Sequence, residues 1–169
     1  MHFDAYLVYI GFFLWMQFAF RFVYQVNPNI LGYATNIHIE RLLEYTNQKR
    51  EETGLSTLRL NDTLSQAAAE KAKHMFSAGY WAHTAPDGTT PWDFINKSGY
   101  LYTIAGENLA KNFSDSSGVV NAWMNSPTHK DNIVKPDYQD IGFAVVDGVL
   151  NGEETTLVVQ MFGKGLVTS

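Results

Sequence analysis

The stretch 102-YTIAGENLAKNFSDSSGVVNAWMNSPTHKDNI-133 decides the reading of this chain. Within it, Ala105-Gly106-Glu107-Asn108-Leu109-Ala110 is a short apolar run interrupted by one acid and one amide. That is unusual for a buried strand, because a carboxylate taken out of water must be paired, hydrogen-bonded or neutralised. A helical pattern follows from Val119 to Met124, with Val120 and Trp123 on one side. Ser126-Pro127 breaks it and presents His129 in the next turn. Upstream, Tyr80-Trp81-Ala82-His83-Thr84-Ala85-Pro86-Asp87-Gly88 supplies a second histidine in a loop whose Pro86, Asp87 and Gly88 are turn residues.

A chain of 169 residues is long enough to bury one core beside a short extra segment. The net charge of -5 and the lack of clustered Lys and Arg exclude a phosphate-binding face, so no nucleic-acid partner is expected. Lys49-Arg50 is offset at once by Glu51-Glu52 and reads as a solvated helix end. The absence of cysteine removes disulfides, thiolate metal sites and cysteine nucleophiles together.

Tyr6 to Phe20, YLVYIGFFLWMQFAF, is almost wholly apolar and aromatic. Continued through Val26, it reaches the ~20 residues a bilayer helix needs. Gln17 and Arg21 oppose this reading, although an Arg near one end can extend its head group to the interface. A signal-peptide core and a buried helix are the alternatives. No basic leader precedes the stretch and no small-residue cleavage site follows it, so a single-pass anchor over residues 1–26 is expected, with the membrane as partner of residues 6–26. Residues 27–36 read as a linker after Asn27-Pro28-Asn29.

Ile37, Ile39, Leu42, Leu43 and Thr46 recur at helical spacing, giving a helix from Ile37 to Thr53 closed by Gly54. A second helix, capped by Asn61 or Asp62, carries Leu64, Ala67, Ala68, Ala72, Met75 and Phe76 as an apolar stripe. His74 falls on its polar face and reads, like His38, as a surface histidine. Thr90-Pro91 opens a short helix. Asp140–Val146 and Thr155–Phe162 read as strands joined by a loop over residues 147–154. Helices followed by strands predict an α+β domain with an antiparallel sheet.

These residues resemble the CAP superfamily of cysteine-rich secretory, antigen 5 and pathogenesis-related proteins, in its cysteine-free bacterial branch. The resemblance is carried by Asn47-x-x-Arg50 with Gly54-Leu55 and Leu58, the Ala-rich helix, and His83 with Pro86-Asp87-Gly88. It continues through Gly106-Glu107-Asn108-Leu109-Ala110, Trp123, Ser126-Pro127-x-His129-x-x-Asn132-Ile133 and Ile141-Gly142-Phe143. It implies a three-layer α-β-α sandwich with a central antiparallel sheet over residues 37–163, leaving 164–169 as a tail. It also implies an extracytoplasmic domain at the cell membrane.

In that family two histidines and two acids line a central cleft, and the histidines can hold a divalent cation. The matching positions are His83, Glu107 and His129, with His83 and His129 as the implied metal ligands. The fourth, an acid in longer members, falls on Ser126. Two imidazoles and a carboxylate suit Zn²⁺ or another divalent cation with an open position for water. Glu107 would then be the general base of a metal-assisted peptide or ester hydrolase. Loss of the fourth acid favours the other reading, a module binding a peptide, lipid, glycan or protein of the cell envelope. A purely structural envelope role is the third. Ser126 lacks the G-x-S-x-G turn of a serine nucleophile. Tyr80 and Trp81 are expected to wall the groove, and Trp92 and Trp123 to pack.

Overall fold

In the computed structural model the described residues are 15–17 and 36–166, and the chain divides into two units, Met1–Ala34 and Thr35–Ser169. In the first unit only Trp15, Met16 and Gln17 are described, helical and exposed. The rest of the expected anchor, and most of the linker, lie outside the described residues. Among the described residues no helix is long and apolar enough to cross a membrane.

The second unit begins with helix α1, Ile39–Glu51, whose Leu42, Thr46 and Arg50 are buried at four-residue intervals along one face. Strand β1, Arg59–Leu60, leads into helix α2, Asp62–Ala78. The Asn61 side chain accepts from the Leu64 amide at the start of α2, and Gly79, at φ 64°, ends it in the left-handed conformation. Helix α3, Pro91–Ser98, opens with proline in its first turn while the Thr90 amide donates to Asp93. Then come β2, Tyr102–Lys111, and two short helices, α4, Ser116–Asn125, and α5, Pro127–Ile133, separated at Ser126 as the Ser-Pro pair predicts. Strands β3, Asp140–Leu150, and β4, Glu153–Gly165, close the fold.

The sheet order is β1-β3-β4-β2. The expected antiparallel sheet is corrected to a mixed one: β2, β4 and β3 are antiparallel, but β1 pairs parallel to β3. A two-residue strand gives no alternation to read. Its place is set by backbone bonds from Arg59 and Asn61 to Gln139 and Ile141 and by an Arg59–Asp140 ion pair at 3.0 Å.

The long loop expected over residues 147–154 is also corrected. Pairing continues to Leu150 opposite Glu153, leaving only Asn151-Gly152 as the turn. Both turn residues have positive φ, 54° and 87°, the requirement of a two-residue hairpin matched to strand twist. At the other end β4 continues through Lys164 to Gly165, past the expected boundary at residue 163.

Apolar side chains fill both faces of the sheet. On one, α2 and α3 pack Leu64, Ala68, Met75 and Ile95 against Leu109, Leu157, Val159 and Met161. On the other, Leu42 of α1, Val120 and Trp123 of α4 and Ile133 of α5 meet Ile141, Phe143, Val158 and Phe162. The layers are therefore helix, sheet, helix. Lys49-Arg50, expected to be solvated, is corrected in its second member. Arg50 is 1% exposed and donates to the carbonyls of Ser56, Ile133 and Lys135 at 2.8–2.9 Å, tying α1 to the end of α5.

α2 approaches β3 tightly at Gly142, where a Cβ would lie 2.3 Å from the Leu64 carbonyl carbon and the Ser65 amide nitrogen. Both are backbone atoms and cannot rotate away. Gly142→Ala is expected to lower unfolding stability by about 3 kcal/mol, the upper range of overpacking penalties. Urea unfolding with an unchanged slope would check it.

Candidate functional site

Glu107 lies mid-strand in β2, its side chain on the α2–α3 face with that of Leu109. The loop after α2 brings His83 over it, and the His83 Nδ1–H donates to Glu107 Oε1 at 2.6 Å, since an ionised carboxylate can only accept. The imidazole is 57% exposed and the carboxyl side chain 2%, so the acid forms the floor and the base the rim. An open cleft of about 400 Å³ lies here, lined by His83, Thr84, Thr90, Pro91, Trp92, Ala105, Gly106, Glu107 and Asn132. At position 106 a Cβ would stand 2.3 Å from Tyr138 Oη, so a larger residue would displace that hydroxyl from the Ala105 carbonyl.

Burial pushes the Glu107 carboxyl above its ordinary pKa, opposed by the His83 hydrogen bond and the nearby Lys71 charge. The second oxygen, Oε2, is buried without a hydrogen-bond partner among the described residues. The bond to Glu107 raises the His83 pKa against the effect of burial. His129 moves the other way, lowered first by burial and then by His83. Its Nδ1 pairs with Ser126 Oγ at 2.7 Å, and its carbonyl accepts from Asn108 Nδ2. The position expected to lack its acid thus holds a hydroxyl bonded to His129.

His83 and Glu107 are joined directly. His129 and Ser126 form a second pair, close enough for His83 to act on His129, but they are not among the described residues lining the cleft. The aromatic assignments are corrected. Tyr80 is 7% exposed and belongs to the core, its hydroxyl taken by Lys71 and His74. Trp81 is half-buried with the Lys111 ammonium 5.5 Å from its ring centre. Trp92, expected to pack, is 38% exposed and walls the cleft. Trp123 does pack, its indole N–H bound to the Leu109 carbonyl.

His74, read as a surface residue, is half-buried against Tyr80 and Phe94. Lys71, overlooked in the sequence, is fully buried between Ala68 and Ala72. Its signal was present: a charge set at a stripe position of an otherwise apolar helix face.

A helix–sheet–helix sandwich with a histidine–glutamate pair in a surface cleft defines the class of protein. The model of the "Cysteine-rich secretory protein family" (CAP) matches residues 43–162, and the chain belongs to that family. Among relatives, it is 37% identical over 114 residues to "Uncharacterized protein YkwD" of Bacillus subtilis, covering 68% of this chain and 44% of that one. It is 26% identical over 106 residues to "Uncharacterized membrane protein YlbC" of the same organism, covering 63% and 31%. The chain therefore spans less than half the length of these two relatives. Its fold superposes on an outer surface protein of Borrelia burgdorferi with a TM-score of 0.67 and 30% identity, covering 76% of this chain and 92% of that one. An extracellular SCP-domain protein of Bacillus anthracis gives a TM-score of 0.64 at 24% identity, covering 74% and 39%.

Opposite shifts of the two histidines can be measured. In NMR titrations His83 is expected to titrate above the ordinary ~6.5 and His129 below it. Glu107→Gln should bring His83 down. Because the folded pKa of His83 is raised, its contribution to stability is complete below ~6.5 and lost as pH rises through the folded value. An unmoved His83 in Glu107→Gln would contradict the assigned cause.

Proposed function

We propose that the chain is a ligand-binding module of the bacterial cell envelope, held at the membrane by residues 6–26 with its CAP domain outside the cytoplasm. The observation that carries this reading is the buried Glu107 carboxyl, bonded to an exposed imidazole, on the floor of a cleft walled by the exposed Trp92. Such a cleft combines a few oriented polar groups with an apolar wall, the composition of a small-ligand site. The localisation is supported by three similar proteins, one named a membrane protein, one an outer surface protein and one extracellular.

The two histidines also suit a divalent cation such as Zn²⁺. Nδ1 of His83 is held by Glu107 and Nδ1 of His129 by Ser126, so a cation would have to be met by the Nε2 atoms. Among the described residues no three His, Cys, Asp or Glu side chains converge as a metal-binding group, so the protein would supply two ligands. A bound cation would acidify a coordinated water. Glu107, already bonded to His83, would act behind that ligand. A single carboxyl engaged in this way favours binding over hydrolysis as the function of the cleft.

Titration calorimetry of Zn²⁺ into the full chain in detergent is expected to show one site, abolished by His83→Ala and by His129→Ala. Ser126→Ala should weaken it about tenfold or more. Absence of heat would remove the cation and leave an organic ligand for the cleft. For the membrane assignment, wild type should sediment with membranes and a chain lacking residues 1–26 should not. Equal distribution of both would overturn the anchor.

A further inference from the structure

Helix α2 buries Leu64, Ala67, Ala68, Ala72 and Met75 against the sheet, and Lys71 is buried with them at 0% exposure. A methionine would fill the same stripe without desolvating a charge, so core packing alone gives no reason for an amine. Its surroundings do. An ammonium has three N–H donors, and Nζ meets three acceptors: Tyr80 Oη at 3.2 Å, the Ala82 carbonyl at 3.0 Å and the His83 carbonyl. The Tyr80 hydroxyl, accepting from Lys71, also shares a hydrogen bond with His74 Nδ1 at 2.9 Å.

Two of these acceptors are consecutive carbonyls of the loop that delivers His83. That loop is otherwise exposed at Ala82, His83 and Thr84. Among the described residues no carboxylate forms a direct ion pair with Lys71. Glu107 and Asp87 act on it at longer range, and the ring of Tyr80 lies 4.9 Å from Nζ. The amine therefore stands behind the site, bonded to the main chain of one member of the His83–Glu107 pair and electrostatically coupled to the other.

We propose that Lys71 is the positioning residue of this site. Its ammonium clamps the carbonyls of Ala82 and His83 so that the imidazole meets Glu107 through Nδ1, and its charge stands behind the buried carboxylate. The role rests on reading the cleft as a binding site, but its test needs no ligand. A negative ligand or cation titration would therefore count against that reading and leave this one to be decided separately.

The chain contains no cysteine, so Lys71→Cys introduces a unique thiol. Alkylating it in denaturant with 2-bromoethylamine and refolding in detergent forms a C–S bond with loss of bromide, restoring an amine at nearly the lysine length. Alkylation with 1-bromopropane gives a neutral side chain of the same length. The readout is the tautomer of neutral His83, from its imidazole ¹⁵N shifts at alkaline pH, assigned by their loss in His83→Ala. Refolded wild type and the aminoethylated protein are expected to hold the Nδ1–H form imposed by Glu107. Lys71→Met and the propylated protein should lose that form while keeping native amide dispersion.

Lys71→Met, which places a flexible apolar side chain in the stripe, tests the role without refolding. If folded Lys71→Met keeps the Nδ1–H tautomer, Lys71 is packing only and the proposal is overturned. Failure of the aminoethylated protein, once refolded, to recover the tautomer would overturn it as well.

Discussion

The outer edge of β2 is the constraint on which the rest of this domain depends. β2 is an edge strand, paired only to β4, and an open edge leaves main-chain polar groups without partners. Here the outward carbonyls of Ala105, Glu107 and Leu109 each accept from a side chain: Tyr138 Oη, Asn132 Nδ2 and Trp123 Nε1, all at 3.0 Å. The donors come from the β3 approach, α5 and α4. Docking those elements against β2 closes the edge and fixes the strand's facing. Glu107 is thereby committed to the α2–α3 side, and Asn108 to the other, where it joins Asn132 and Gln160.

This arrangement also explains why the cleft lies where it does. At Gly106 the backbone is pressed by the side chains of Tyr138 and Asn132, and the cleft lies beside it at Glu107. The loop after α2 crosses this space with His83, and α3 sets Pro91 and Trp92 opposite. A buried carboxyl is tolerated because an imidazole donates to one oxygen and a buried amine stands nearby.

Two buried cations hold the helical layers in register by one device. Arg50 and Lys71 each lie on the inner face of a helix, and each bonds mainly to carbonyl oxygens of loops or of a helix end rather than to a carboxylate. Burial lowers the pKa of both. Carbonyls in loops have no ladder to join, so a cation with several donors satisfies them and fastens the loop to the helix. Arg50 serves the segments after α1 and α5. Lys71 serves the segment carrying His83.

Much of this was legible in the residues. Asn61 opens α2, Thr90-Pro91 opens α3, and Ser126-Pro127 separates α4 from α5, because caps and proline act on the few residues around them. His83 and Glu107 could be named because a histidine in a turn-rich loop and an acid in an apolar strand are each locally out of place. Their 2.6 Å contact could not, nor could the parallel pairing of β1, the burial of Arg50 and Lys71, or the exchange of roles between Tyr80 and Trp92. Local sequence determines element boundaries through backbone sterics and capping. Which polar side chains are buried, and against which distant carbonyls, is decided only when the layers close, since the partners of Arg50 at Ile133 and Lys135 are more than eighty residues away.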